Sequence, residues 1–247
     1  MSHIHIPDGV LPFWLVMTGY LLIAIYFLFL AINKKKININ KKIALVGVMS
    51  ALMFITMTVE IIPPAYHMNL AVLSGIILGP VLSILAIFSA NILLVLLGHG
   101  GISVIGLNAF VVSLEAIIGF WGFRFLNSRI KNIFISASLA AFIALFISAW
   151  ASIGIVYLGT NDMEALTHNH EHKIETVQDS HNHEQPVHHD DMDFDAGRFI
   201  VAILSLGLLG WVIESMLTGF IIKYIKQIKP DIIEYKVNPH LNELSGE

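Results

Sequence analysis

Six runs of uncharged or nearly uncharged residues divide the chain: Phe13–Ile32, Ile43–Ile62, Leu70–Leu97, Ile105–Phe123, Ile133–Leu158 and Phe199–Ile222. A helix crosses the hydrocarbon of a bilayer with about 20 mostly apolar residues, so each run predicts at least one membrane segment. Leu70–Leu97 is too long for one upright pass. Its 28 residues would make a helix of about 42 Å at 1.5 Å per residue, against about 30 Å of hydrocarbon. Gly79-Pro80 interrupts it and predicts either one tilted helix or two shorter ones.

The polar positions decide between these. Lys and Arg concentrate in cytoplasmic loops. Here Lys34, Lys35, Lys36, Lys41 and Lys42 follow the first run, Arg124, Arg129 and Lys131 follow the fourth, and Lys223, Lys226, Lys229 and Lys236 follow the last. If Leu70–Leu97 crosses twice, turning at Gly79-Pro80, all three clusters fall on one side and hold twelve of the 14 basic residues. The expected fold is therefore an all-α polytopic membrane protein of about seven transmembrane helices, with the N-terminus outside and the C-terminus cytoplasmic. Residues 1–230 form one membrane-embedded domain, including an outer loop over 160–197, and residues 231–247 form a cytoplasmic tail. Irregular backbone at membrane depth survives only inside protein, so the short segment before Gly79 must be covered by its neighbours. No Lys or Arg precedes Phe13–Ile32 within the run's own flank, and that run is read as a helix rather than a leader.

Composition agrees: 56% apolar residues, 13% charged and a mean hydropathy of +0.75, against roughly 25% charged for a soluble domain. This fits a multi-pass protein of the cell membrane and leaves no room for a separate catalytic domain or a nucleic-acid surface. There is no Cys, which removes disulfides, thiolate metal sites and cysteine nucleophiles. No glycine-rich phosphate loop with Lys and Ser or Thr occurs, so the chain is not an enzyme that hydrolyses ATP through a P-loop. Any metal must be held by imidazole, carboxylate or backbone nitrogen.

The histidines sort with the topology, although Lys and Arg alone set it. His3, His5, His67, His99, His168, His170, His172, His181, His183, His188 and His189 fall outside; of the 12 only His240 falls inside. Between Thr160 and Gly197 lie seven His and ten Asp or Glu with few apolar residues, too few to drive folding. Spacings such as His168/His170/His172 and His181/His183 suit weak, exchangeable binding of divalent transition metals, and a loop of this kind serves as an auxiliary scavenger rather than a selective site. The stretch His183–His188 has one residue too many for a zinc-protease helix, and Pro186 breaks that helix.

The N-terminal Met1-Ser2-His3-Ile4-His5-Ile6-Pro7-Asp8-Gly9 places imidazoles close to a free amine. Amine, backbone-amide and imidazole nitrogens can wrap one Ni(II) or Cu(II) in planar geometry, and Pro7-Asp8-Gly9 supplies a fixed bend. Pro63-Pro64-Ala65-Tyr66-His67 is a stiff outer loop, in which His67 is a ligand or a packing residue. His99, in Gly98-His99-Gly100-Gly101, is a ligand, an outer partner of one, or a cap. Glu60, Glu115 and Glu214 are carboxylates within helices, costly in hydrocarbon. They either form a proton relay or brace helices, and Glu60, one turn before the His67 loop, could tune it. Asp8, Asn69, His99 and Asn108 complete the polar set that could support a site or line a pathway. Gly47 and Ala51 set small residues four apart on the second helix, which permits close helix approach.

With these residues in view, the chain resembles the CbiM/NikM family, the substrate-binding components of energy-coupling-factor transporters for cobalt and nickel. The resemblance rests on His5-Ile6-Pro7-Asp8-Gly9, Leu78-Gly79-Pro80, Gly98-His99-Gly100-Gly101 followed by Gly106-Leu107-Asn108, and Glu214 in the last helix. It implies a seven-helix bundle and a metal held by the terminal amine, the amide and imidazole of an adjacent His, and a second imidazole at His67. It also implies partners: a transmembrane coupling subunit, two ATPase subunits and, often, a small accessory membrane protein, with Gly47 and Ala51 on the coupling-protein docking face. The family starts at Met-His, whereas here Met1-Ser2-His3-Ile4 precedes the matching His5. His3 and His5 therefore both stand as the chelating residue, with Met1 and Ser2 as the alternative sources of the amine. Two rival readings are a self-sufficient metal/proton carrier using the three carboxylates and a membrane metal sensor.

Overall fold

A computed structural model describes residues 11–37, 39–59, 67–98, 101–160 and 196–233. Among them the chain is helical: α1 (Phe13–Ile37), α2 (Ile39–Thr58), α3 (Ala71–Leu78), α4 (Pro80–Leu96), α5 (Ile105–Arg129), α6 (Ile133–Thr160), α7 (Ala196–Ile228) and the single turn α8 (Pro230–Ile233). Four of these are long and apolar enough to cross a membrane unaided, in α1, α5, α6 and α7, while Lys42–Thr58 and Pro80–Leu96 are shorter apolar helices. The all-helical, polytopic fold expected from the apolar runs is the fold observed. α1, α5 and α7 run past their apolar windows into Lys, Asn and Arg.

The third run breaks at Gly79, with φ 81° and ψ 166°, a conformation open essentially to glycine alone. Pro80 then starts α4 at the position where its missing N–H costs nothing. The eight residues of α3 are all buried, as the shielding argument requires. Gly75 makes this possible: a β-carbon there would collide with the Ala116 backbone of α5.

The two ends of the bundle differ. At one end Leu11, Leu15 and Val16 of the α1 start pack with Val104 and Leu107 of the α5 start and with Ile155 of α6. There Gly19 and Gly106 bring the α1 and α5 backbones together, and the Tyr20 hydroxyl donates to the Ile102 carbonyl at 2.6 Å. At the other end, Ile76 of α3, Phe120, Phe123, Arg124, Asn127 and Ser128 of α5, Ile133 of α6, Lys226 of α7 and Pro230 and Ile233 of α8 line a cavity of about 340 Å³. The basic ends of α5 and α7 thus meet at one pole, opposite the start of α1.

Candidate functional site

α3 begins inside the bundle, so its first turn needs partners that water cannot supply. Leu70, just before it, is the one described non-glycine residue with positive φ, at 54°. A leucine there costs roughly 1–2 kcal/mol and persists only where the surroundings dictate it. They do so through side chains from two other helices. The Leu70 N–H donates to Oε1 of Glu214 on α7 at 2.9 Å, and the Ala71 N–H to Oδ1 of Asn69 at 2.6 Å. The Asn69 amide in turn donates through Nδ2 to Oε2 of Glu115 on α5 at 3.1 Å. Asn69 and Glu115 are 0% exposed and Glu214 is 1%.

Both carboxyl groups converge on this point and are close enough to interact electrostatically, and Ser148 of α6 lies beside Glu115. Counting along the helices at 1.5 Å per residue, Glu115 stands about 21 Å from Arg129 and Glu214 about 18 Å from Lys226. The cluster is therefore deep in the bundle. Met68, Leu145 and Trp211, from the α3 entry, α6 and α7, pack into a separate buried cluster. Of the three carboxylates read from sequence as relay or brace, Glu115 and Glu214 each accept a hydrogen bond at the entry into α3.

His67 stands three residues ahead of Leu70, half-buried, with its Nδ1 out of solvent. Asn108 is buried, at 6% exposure, on the same α5 face as Glu115, two turns earlier. Of the residues singled out from sequence, the structure thus brings Asn69 and Glu115 into direct contact and Glu214 onto the adjacent Leu70 N–H, two to three residues after His67. Met1, Ser2, His3, His5, Asp8, Glu60, His99 and the loop histidines from His168 to His189 lie outside the described residues. Gly47 and Ala51 are exposed on α2, and among the described residues no atom lies within 4 Å of a β-carbon built on Gly47. Sequence reasoning missed Ser148 and the left-handed Leu70. The clue to the first was a Ser on α6 facing an intramembrane Glu, and Leu70 offered none.

Residues 5–232 match the profile of CbiM, described as a cobalt uptake substrate-specific transmembrane region. A curated relative from Methanocorpusculum labreanum, named as cobalt transport protein CbiM 1, is 26% identical over 98% of this chain and 95% of its own length. Two solved structures, described as a transition metal transporter and a truncated form of one, superpose with TM-scores of 0.66 and 0.65. They cover 98% and 91% of this chain, and 97% and 99% of their own, at 19% and 20% identity. These two speak to the fold.

Proposed function

Since the chain belongs to the CbiM family of cobalt uptake components, a family of transporters and not of enzymes, we propose that it is the substrate-capturing membrane subunit of an ATP-driven energy-coupling-factor importer for cobalt or nickel. The observation that carries this reading is the family match from residue 5 to residue 232 over a chain with no ATP-binding loop. Uptake is then powered in trans by two ATPase subunits through a transmembrane coupling subunit, with a small accessory membrane protein as a further partner.

In this reading the transported ion is substrate, held by nitrogen. The amine and amide from Met1 or Ser2, the imidazole of His3 or His5, and the imidazole of His67 provide a set that suits Ni(II) and Co(II) alike. Asp8, Glu60, His99, Asn69 and Asn108 support or feed it. The loop histidines from His168 to His189 raise the local metal concentration at the outer face. The exposed Gly47/Ala51 stretch of α2 is the docking face for the coupling subunit, consistent with the space that the described residues leave above Gly47.

Isothermal titration of the purified chain with Ni(II) and with Co(II) tests the ligand set. His67→Ala is expected to abolish tight binding, and an N-terminal fusion that blocks the amine to weaken it more than a C-terminal one does. Parent-like binding by both variants would place the site elsewhere. Orientation is tested by labelling intact cells with an impermeant thiol reagent: Ser180→Cys should react and Ser128→Cys should not. Reconstitution of the chain alone separates a subunit from a self-sufficient carrier, since uptake driven by a proton gradient without partners would support the carrier.

A further inference from the structure

Every ligand named above could be present and still bind poorly if His67 pointed elsewhere, and the segment that carries it has an unusual shape. Leu70 adopts φ 54°, a conformation that a leucine leaves unless something holds it. The holding groups are remote in sequence: Glu214 accepts from the Leu70 N–H, and Glu115 accepts from the Asn69 amide, whose own oxygen takes the Ala71 N–H. All three side chains are buried to within 1%. α3 is pressed closely on α5 at Gly75, where a β-carbon would meet the Ala116 backbone.

We propose that Glu214, together with the Asn69–Glu115 pair, is a positioning device for His67. It forces the left-handed turn at Leu70 and so aims the three residues upstream toward the site. These are positioning residues and not ligands. They act through the backbone of Met68–Leu70, and the inference rests on the reading of His67 as a metal ligand. The chemistry required at residue 214 is a hydrogen-bond acceptor for one N–H, which an amide oxygen supplies as well as a carboxylate. The chemistry required at residue 70 is only that left-handed φ be accessible, which glycine satisfies without help.

Those two requirements give a test that simple destabilisation does not mimic. The full chain, purified in detergent, is titrated with Ni(II) and Co(II) salts, and the visible absorption of the bound Co(II) reports ligand geometry. Glu214→Gln should bind like the parent with an unchanged spectrum. Glu214→Leu should weaken binding by about 10 to 100-fold, the range for residues that orient a ligand, and shift the Co(II) bands. Adding Leu70→Gly to Glu214→Leu should recover part of the affinity and move the bands back. If Glu214→Leu fails to fold, Asn69→Ala carries the same expectation, since it removes both the Ala71 acceptor and the link to Glu115. Folded Glu214→Leu or Asn69→Ala with parent affinity and spectrum, alongside His67→Ala that has lost binding, would overturn the positioning role and leave the ligand assignment standing. His67→Ala with intact binding would overturn both.

Discussion

α3 and α4 are neighbours in sequence, separated by one glycine and nearly equal in apolar content, yet they live in different surroundings. Every residue of α3 is buried. α4 alternates between buried positions such as Ala86, Ile87, Ala90 and Leu94 and outward ones such as Leu93 and Leu96, the last 76% exposed. The contrast shows what hydropathy cannot report: lipid tails are as apolar as leucine, so a helix facing lipid and one enclosed by protein can have the same composition. What separates them is packing distance and polar anchoring. α3 has a glycine where α5 presses against it and two carboxyl groups at its start, while α4 has neither.

That contrast can be broken by mutation, starting with the largest expected effect. Gly75→Val inserts a branched side chain where even a β-carbon meets the Ala116 backbone. It should cost about 3 kcal/mol or prevent folding, read as a loss of monodisperse protein and of thermal stability in detergent. Leu73→Ala, at a position 1% exposed, should cost about 2 kcal/mol. That is the low end for a buried leucine, because a lipid-solvated reference removes much of the transfer term and leaves the cavity. Gly79→Ala strains a backbone at φ 81° and should cost about 1 to 2 kcal/mol by the same melt. Leu93→Ala on the outward face of α4 should fall within about 0.5 kcal/mol of the parent. A melt in which Leu93→Ala loses as much as Leu73→Ala would erase the distinction between the two helices.

Much of this architecture was legible in the apolar runs. The break at Gly79-Pro80 was predicted because charge placement required two segments there, and the shielding of α3 followed from the cost of bare backbone in hydrocarbon. Helix ends were less legible: α7 extends from Ala196 to Ile228, beyond its apolar window, since polar residues at an interface prolong a helix without marking it. The carboxylates were visible as anomalies, but their joint task was not. Asn69 and Glu115 are 46 residues apart and Leu70 and Glu214 are 144 apart, and no local pattern encodes such a pairing. The left-handed Leu70 runs against its own propensity, so only the tertiary contacts that enforce it reveal it.

The packing of Leu11 beside Leu15 and Val16, against Val104 and Leu107, has a consequence for capture. Leu11 is a fixed post, and the six steps back to His5 span at most about 20 Å, or about 27 Å to His3. On the proposed reading, the terminal chelate is therefore not a solute searching for His67 but a tethered arm, present at an effective concentration set by the length of its link. Closing the site then becomes an intramolecular event: an ion caught by the arm alone is delivered to the second imidazole without a second encounter, and a longer arm would hold the same ligands yet deliver it more slowly.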